Sequence, residues 1–142
     1  MKTSKELLSS ITKTTQMGQL GIRSVMNYAK NKELKQALRS QLLEYDRIEE
    51  EALNIAEQRG WEIAELDPAT KLMSTAYARA NLMMGNTDSR IAAMMINGNT
   101  KGMVKSIKNQ HHSNATDPRI NRLGEKLLEH ETANIRQMQE YL

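Results

Sequence analysis

Lys32-Glu-Leu-Lys-Gln-Ala-Leu-Arg-Ser-Gln-Leu-Leu-Glu-Tyr-Asp-Arg-Ile-Glu-Glu-Glu-Ala-Leu-Asn-Ile-Ala-Glu-Gln-Arg-Gly60 is the stretch with the clearest pattern in the chain. Leu34, Leu38, Gln41, Tyr45, Ile48, Ala52 and Ile55 step by four and three residues in strict alternation, so they share one seam of a long α-helix. Gly60 closes it, because a residue free to take left-handed backbone angles can satisfy the last carbonyls. A helix with one apolar stripe is stable only when that stripe is buried against other elements. The seam contains two polar residues, Gln41 and Tyr45, whose polar atoms then need partners inside the protein.

The flanking sequence supplies those other elements. Leu7, Ile11, Ile22, Val25 and Ala29 have helical spacing from Ser4 to about Lys30. Pro68 and Pro118 are the only prolines, and each follows an Asp, which marks a helix start with Asp as cap and Pro at the first helical position. Pro68 opens a shorter helix carrying Leu72, Met73, Ala76, Ala80 and Met83, with an end near Gly85-Asn86. Thr87 or Asp88 caps a fourth helix through Ile91, Met95, Gly98 and Val104 to about Asn109. His111 to Thr116 reads as a polar loop, and the last helix carries Ile120, Leu127, Ile135 and Met138 to Leu142. No alternating strand pattern competes. The expectation is an all-α chain of one domain spanning residues 1–142. It is a ferritin-like four-helix bundle in which the short third of five helices forms the long crossover between the second and third staves.

Composition narrows the function. The 20 basic against 17 acidic residues leave a net charge of +3, a small excess. With four Tyr and one Trp for base stacking and no dense Lys/Arg cluster, a specific nucleic-acid reader is not expected. The chain has no Cys, which excludes thiol chemistry, thiolate metal sites and disulfides. No window has the length of a membrane span, and the opening residues carry charge where a secretory leader needs an apolar run, so a soluble cytoplasmic protein is expected. No Gly-x-Ser-x-Gly, P-loop or dinucleotide fingerprint occurs, so nucleophilic catalysis has no candidate residue.

Three segments carry a further likeness: Glu6-Leu-Leu-Ser-Ser-Ile11 with Met17-Gly18, Asp88-Ser-Arg-Ile-Ala-Ala-Met-Met-Ile-Asn-Gly98 with Met103, and Glu131-Thr-Ala-Asn-Ile135 with Tyr141-Leu142. In these the chain resembles a group of uncharacterised ferritin-like helical-bundle proteins of Firmicutes. The resemblance implies a helical bundle and assigns it no activity and no cofactor.

Ferritin-like di-iron and di-manganese centres are built from inward-facing Glu and Glu-x-x-His. Glu-x-x-His occurs nowhere here, no carboxylate lies between Glu6 and Glu33, and none lies in residues 89 to 116. Two of the four staves therefore have no acid to offer two hard cations, and neither an intact metal centre nor a cofactor is expected. Glu44, Glu51, His130 and Glu131 remain as ligands for an alternative: a metal-binding protein or oxidoreductase whose site is completed across a subunit interface. Glu131-x-x-Asn134 stands where a Glu-x-x-His would sit. It reads either as a degenerate ligand site or, with Gln41, Tyr45 and Thr15, as a buried polar layer that fixes helix register. His111-His112 points in two directions and has no ligand one turn away, so it reads as a solvated pair.

Ten Met and no Phe is an unusual balance, with Met73, Met83, Met84, Met94, Met95 and Met103 all in the third and fourth helices. Met fills irregular gaps in a core, but the same residues suit a soft metal, haem or an adaptable apolar groove. Gly18 and Gly21 on the first helix, and Gly98 and Gly102 on the fourth, each weaken a helix interior by about 1 kcal/mol and so point to close helix packing. Gly98-Asn-Thr-Lys-Gly102 has a second reading as a locally unwound anion site. Residues 44 to 65 hold eight acids, whereas the fourth helix beyond its cap is purely basic with Arg90, Lys101, Lys105 and Lys108. The leading functional expectation is a non-enzymatic bundle that acts by self-association, as a homodimer, or by binding a protein partner through faces rich in Met and small residues. A carrier with a Met-lined cavity for an apolar ligand or haem stands behind it.

Overall fold

The computed structural model describes residues 1–83, 85, 87–114 and 117–142. Met84, the Asn86 end of the third predicted helix and the Thr116 end of the polar loop lie outside the described residues. Five α-helices are present among the described residues: α1 (Ser4–Val25), α2 (Lys32–Arg59), α3 (Pro68–Leu82), α4 (Thr87–His111) and α5 (Pro118–Met138). Single 3-10 turns follow α1 at Met26–Tyr28 and α5 at Gln139–Tyr141. The chain is all-α, with one isolated β-bridge between Lys2 and Ser113.

The helix starts follow from local chemistry. The Asp67 carboxylate accepts the Ala69 N–H at 2.8 Å and the Asp117 carboxylate accepts that of Arg119 at 2.9 Å, each with Pro at the next position. The Asn31 side chain accepts the Glu33 and Leu34 N–H groups and starts α2, and Gly60, at φ +67°, ends it. α1 stops at Val25, short of the expected Lys30, because Ala29 and Asn31 must be extended for Asn31 to cap the next helix.

Contacts at the two ends set the helix directions. The Lys30 and Asn31 N–H groups donate to the Asp88 carboxylate at 2.8 and 3.1 Å, so the end of α1 and the start of α2 meet the start of α4. At the other end, the Lys2 N–H donates to the His112 carbonyl at 2.8 Å, and Arg59 at the end of α2 pairs with Asp117 at the start of α5 at 2.6 Å. α1 is therefore antiparallel to α2 and α4, α5 is antiparallel to α2, and α2 and α4 run in the same direction. α1 and α5 each pack along both α2 and α4, while α3 carries the chain back and lies on α1 and α4.

Every residue of the Leu34 to Ile55 seam is buried, and it meets Leu8, Ile22, Ile91, Leu123 and Leu127 from the other long helices. α3 departs from expectation. Its buried residues are Ala78 and Leu82, while Leu72 and Met73 are 73% exposed, Tyr77 63% and Met83 74%. The helix touches its neighbours along a narrow stripe, so Met73 and Met83 do not fill the core. No described helix is long and apolar enough to cross a membrane.

Charge sorting is expressed mainly between α1 and α2. Gln16 and Gln19 donate to Glu49 and Asp46, and Arg23 sits 3.6 Å from Asp46. The Arg23 pair is exposed and contributes about 0 to 1 kcal/mol, while the hydrogen bonds from Gln16 and from buried Gln19 are partly buried.

Candidate functional site

At mid-height α2, α4 and α5 turn polar side chains inward. Gln41, Tyr45, Glu131 and Asn134 are all buried, joined by Asn99 of α4. The Tyr45 hydroxyl donates to Asn99 Oδ1 at 2.8 Å, Asn134 Nδ2 lies 3.4 Å from the same oxygen, and Asn99 Nδ2 donates to the Met95 carbonyl at 2.7 Å. Gln41 Nε2 donates to Gln137 Oε1 at 2.8 Å. The His130 ring stands edge-on to Tyr45, with centroids 4.5 Å apart. Its Nε2 lies 3.1 Å from the Gln41 carbonyl and 3.2 Å from Asn134 Nδ2, so it donates to the first in one tautomer and accepts from the second in the other. Burial lowers its pKa and favours the neutral ring, against the Gln41 carbonyl and Glu44. Burial likewise raises the Tyr45 pKa, helped by the neighbouring Glu131 charge. Thr15 takes no part in this network, since its hydroxyl donates to the Ile11 carbonyl of its own helix.

Two oxygens of the layer stay unpaired among the described residues, Gln41 Oε1 and Glu131 Oε1, and of the two only Glu131 lines the neighbouring space. Glu131 is 2% exposed. Desolvation pushes its carboxyl up to about 8, so the proton stays on at neutral pH. The carboxyl lies against Gly102, where any added Cβ would collide with it. Gly18 plays the same part for Tyr45, whose ring atoms Cε2 and Cε1 lie 2.6 and 2.7 Å from an ideal Cβ at that position. Both glycines thus receive a side chain of the polar layer from a facing helix, rather than a second backbone. Gly21 meets only Met95 Cε at 3.7 Å, and Gly98 has nothing within 4 Å, so the close packing expected of them is not formed. α4 is continuous through Gly98 and Gly102, which removes the unwound anion loop.

The reason for that open space is a cavity of about 800 Å³ between α1, α3 and α4. All four glycines line it, with Met17, Ile22, Val25, Leu66, Met94 and Met95 as apolar wall, Tyr45, Asn99 and Glu131 as polar floor, and Lys13, Lys101 and Lys105 at one end. Small-molecule sites commonly have about 300–1,000 Å³, mostly apolar walls and a few placed polar groups. Asn99 was not singled out from the sequence, although it continues the four-residue step from Ile91 and Met95 and so was findable as a polar member of an apolar seam.

The four alternative metal ligands do not form one cluster. Glu44 pairs with Arg47 and Glu51 with Lys126, each at 3.3 Å, and Glu44 is near enough to His130 for its charge to be felt there. Among the described residues no three His, Asp or Glu side chains converge on a point that an ion could occupy. His111 and His112 are both exposed.

No protein-family model matches the chain, and no curated protein does. Among solved structures the chain is similar to YcfI from Rhodopseudomonas palustris, with a TM-score of 0.59 and 15% sequence identity over 98% of this chain and 94% of that one. At that identity the likeness concerns the fold, which is shared over nearly the whole length of both chains.

Proposed function

We propose that this protein is a non-enzymatic binding protein that holds a small, largely apolar molecule in the cavity between α1, α3 and α4. The scaffold is read as a ferritin-like four-helix bundle, with α3 as its crossover. The parallel course of α2 and α4, which obliges the chain to return the full height of the bundle between them, supports that reading. The mid-height level, where such bundles place metal ligands, carries instead a neutral hydrogen-bonded layer centred on Tyr45, Asn99 and Asn134.

The observation that carries the proposal is the conjunction at the floor. Gly98 weakens α4 and receives no neighbour, Gly21 meets only Met95 Cε, and the space that both line is also lined by a buried carboxyl with an unpartnered oxygen. A bound apolar molecule would fill the volume that Gly98 leaves open, over a carboxyl that burial keeps neutral. The test is titration with the neutral dye Nile red. Saturable fluorescence is expected with the wild type and its loss with Gly98→Leu, which adds bulk where a Cβ meets nothing and leaves the helix intact. Folded wild-type protein without saturable uptake, or uptake untouched by Gly98→Leu, would defeat the reading.

A second reading, self-association, is favoured by α3. Ala69, Leu72, Met73, Ala76, Tyr77 and Ala80 are all exposed on one small helix, a continuous apolar strip suited to a second copy of the chain. Sedimentation analysis should show a dimer that Met73→Glu dissociates; a strict monomer at high concentration removes this reading and leaves the cavity untouched.

A further inference from the structure

Resting on the cavity reading above, we infer that the ligand is a long-chain amphiphile with one anionic head, its chain along the apolar wall and its carboxylate or phosphate at Lys13, Lys101 and Lys105. The cavity has a head and a tail because α1 and α4 are antiparallel. Its lining runs from Lys13 to Val25 on α1, about 18 Å, and from Lys105 back to Met94 on α4, about 16 Å, at 1.5 Å per residue. Lys13 and Lys105 therefore fall at one end, with Lys101 one helical turn inward, and Ile22, Val25 and Met94 at the other. That shape fits an extended chain with one charged terminus. Methionine walls suit it, since an unbranched thioether side chain repacks around a chain of no fixed shape.

The charge at the head end is uncompensated. None of the three lysines forms an ion pair among the described residues, and the acidic partner nearest in the lining is Glu131, on the floor and protonated. Burial lowers the Lys105 pKa, and the charges of Lys2 and Lys13 lower it further. An anion seated there would relieve that crowding, whereas a cationic head would add to it.

The experiment is displacement of Nile red by dodecanoate, dodecyl phosphate, dodecanol and dodecyltrimethylammonium, each below its micelle concentration. It is run on wild type, Gly98→Leu and the exposed triple variant Lys13→Gln/Lys101→Gln/Lys105→Gln. The expected result is that the anions displace the dye at concentrations at least about tenfold lower than the alcohol, that the cation is weakest, and that the triple variant abolishes this order. The better of the two anions identifies the head group. Equal displacement by alcohol and anions, or an order the triple variant does not change, overturns the anionic class while the cavity reading stands. Tightest binding by the cation overturns it too and places the charge at Glu131. Dye uptake that Gly98→Leu fails to block overturns the cavity reading itself.

Discussion

Replacing Glu131 by Gln should make the protein more stable, and by an amount that depends on pH in a defined way. The ordinary Glu carboxyl titrates near 4.5 and burial raises this one to about 8. Between those values the unfolded chain releases a proton that the folded chain retains, so folding stability falls as pH rises. Below about 4.5 both states are protonated and above about 8 both are ionised, and the contribution is flat. At about 1.4 kcal/mol per pH unit the total is on the order of 5 kcal/mol, a large share of a typical domain's 5–15 kcal/mol. Gln has the same shape and never ionises. Urea unfolding of wild type and Glu131→Gln at pH 5, 6, 7, 8 and 9 should therefore give nearly coincident stabilities at pH 5 and a gap that widens to pH 8 and then holds. Taking the difference cancels His130, whose lowered pKa contributes the opposite slope in both proteins. A gap of the same size at pH 5 and pH 8 would refute the claim that Glu131 is a desolvated, uncompensated acid.

Three further outcomes follow from the same geometry. Gly98→Ala should stabilise by about 0.5–1 kcal/mol, because it gains helix propensity and meets nothing, whereas Gly18→Ala should destabilise by about 1–3 kcal/mol as its Cβ strikes the Tyr45 ring; thermal melts of the two variants that move in the same direction would contradict the glycine assignments. Tyr45→Phe removes the 2.8 Å donation to Asn99 and should cost about 1–2 kcal/mol in urea unfolding, with a neutral effect meaning that the layer does not hold α2 to α4. Asp117 is desolvated, yet hydrogen bonds from Arg59 and Arg119 hold its carboxyl down at about 2, so its stabilisation is complete above its ordinary 3.8 and is lost as pH falls through about 2. Asp117→Asn should flatten the acid limb of the stability profile in that window, measured by circular dichroism, and an unchanged limb would show that the pair with Arg59 contributes nothing.

The sequence was most readable where one residue determines local backbone or where spacing is strict. Asp67-Pro68, Asp117-Pro118 and Gly60 placed helix ends to the residue, and the four-three step of α2 named a seam that is buried throughout. α3 was misread because alanines at 69, 76, 78 and 80 spread round a short helix and give no firm phase; the Ala78 and Leu82 stripe is set by what it rests on. Of the polar layer, Gln41, Tyr45, Glu131 and Asn134 were visible as polar members of apolar seams, but their partner Asn99 and the lone oxygen of Glu131 depend on how three helices meet. The glycines show the limit most clearly. Their spacing announces missing side-chain volume, and only the assembled helices reveal that Gly18 and Gly102 give that volume to Tyr45 and Glu131, while Gly98 leaves it open.

α3 is both the outer wall of the cavity, through Ser74, Tyr77 and Ala78, and the segment that returns the chain from α2 to α4. With two residues buried it is the helix least secured by the core, so its amides should exchange with deuterium well before those of α1 or α2. A wall fastened at both ends cannot diffuse away when it lifts. Its return is a first-order event at the high local concentration that two short tethers impose. Fraying of this one helix would widen the groove it flanks without loosening the rest of the protein.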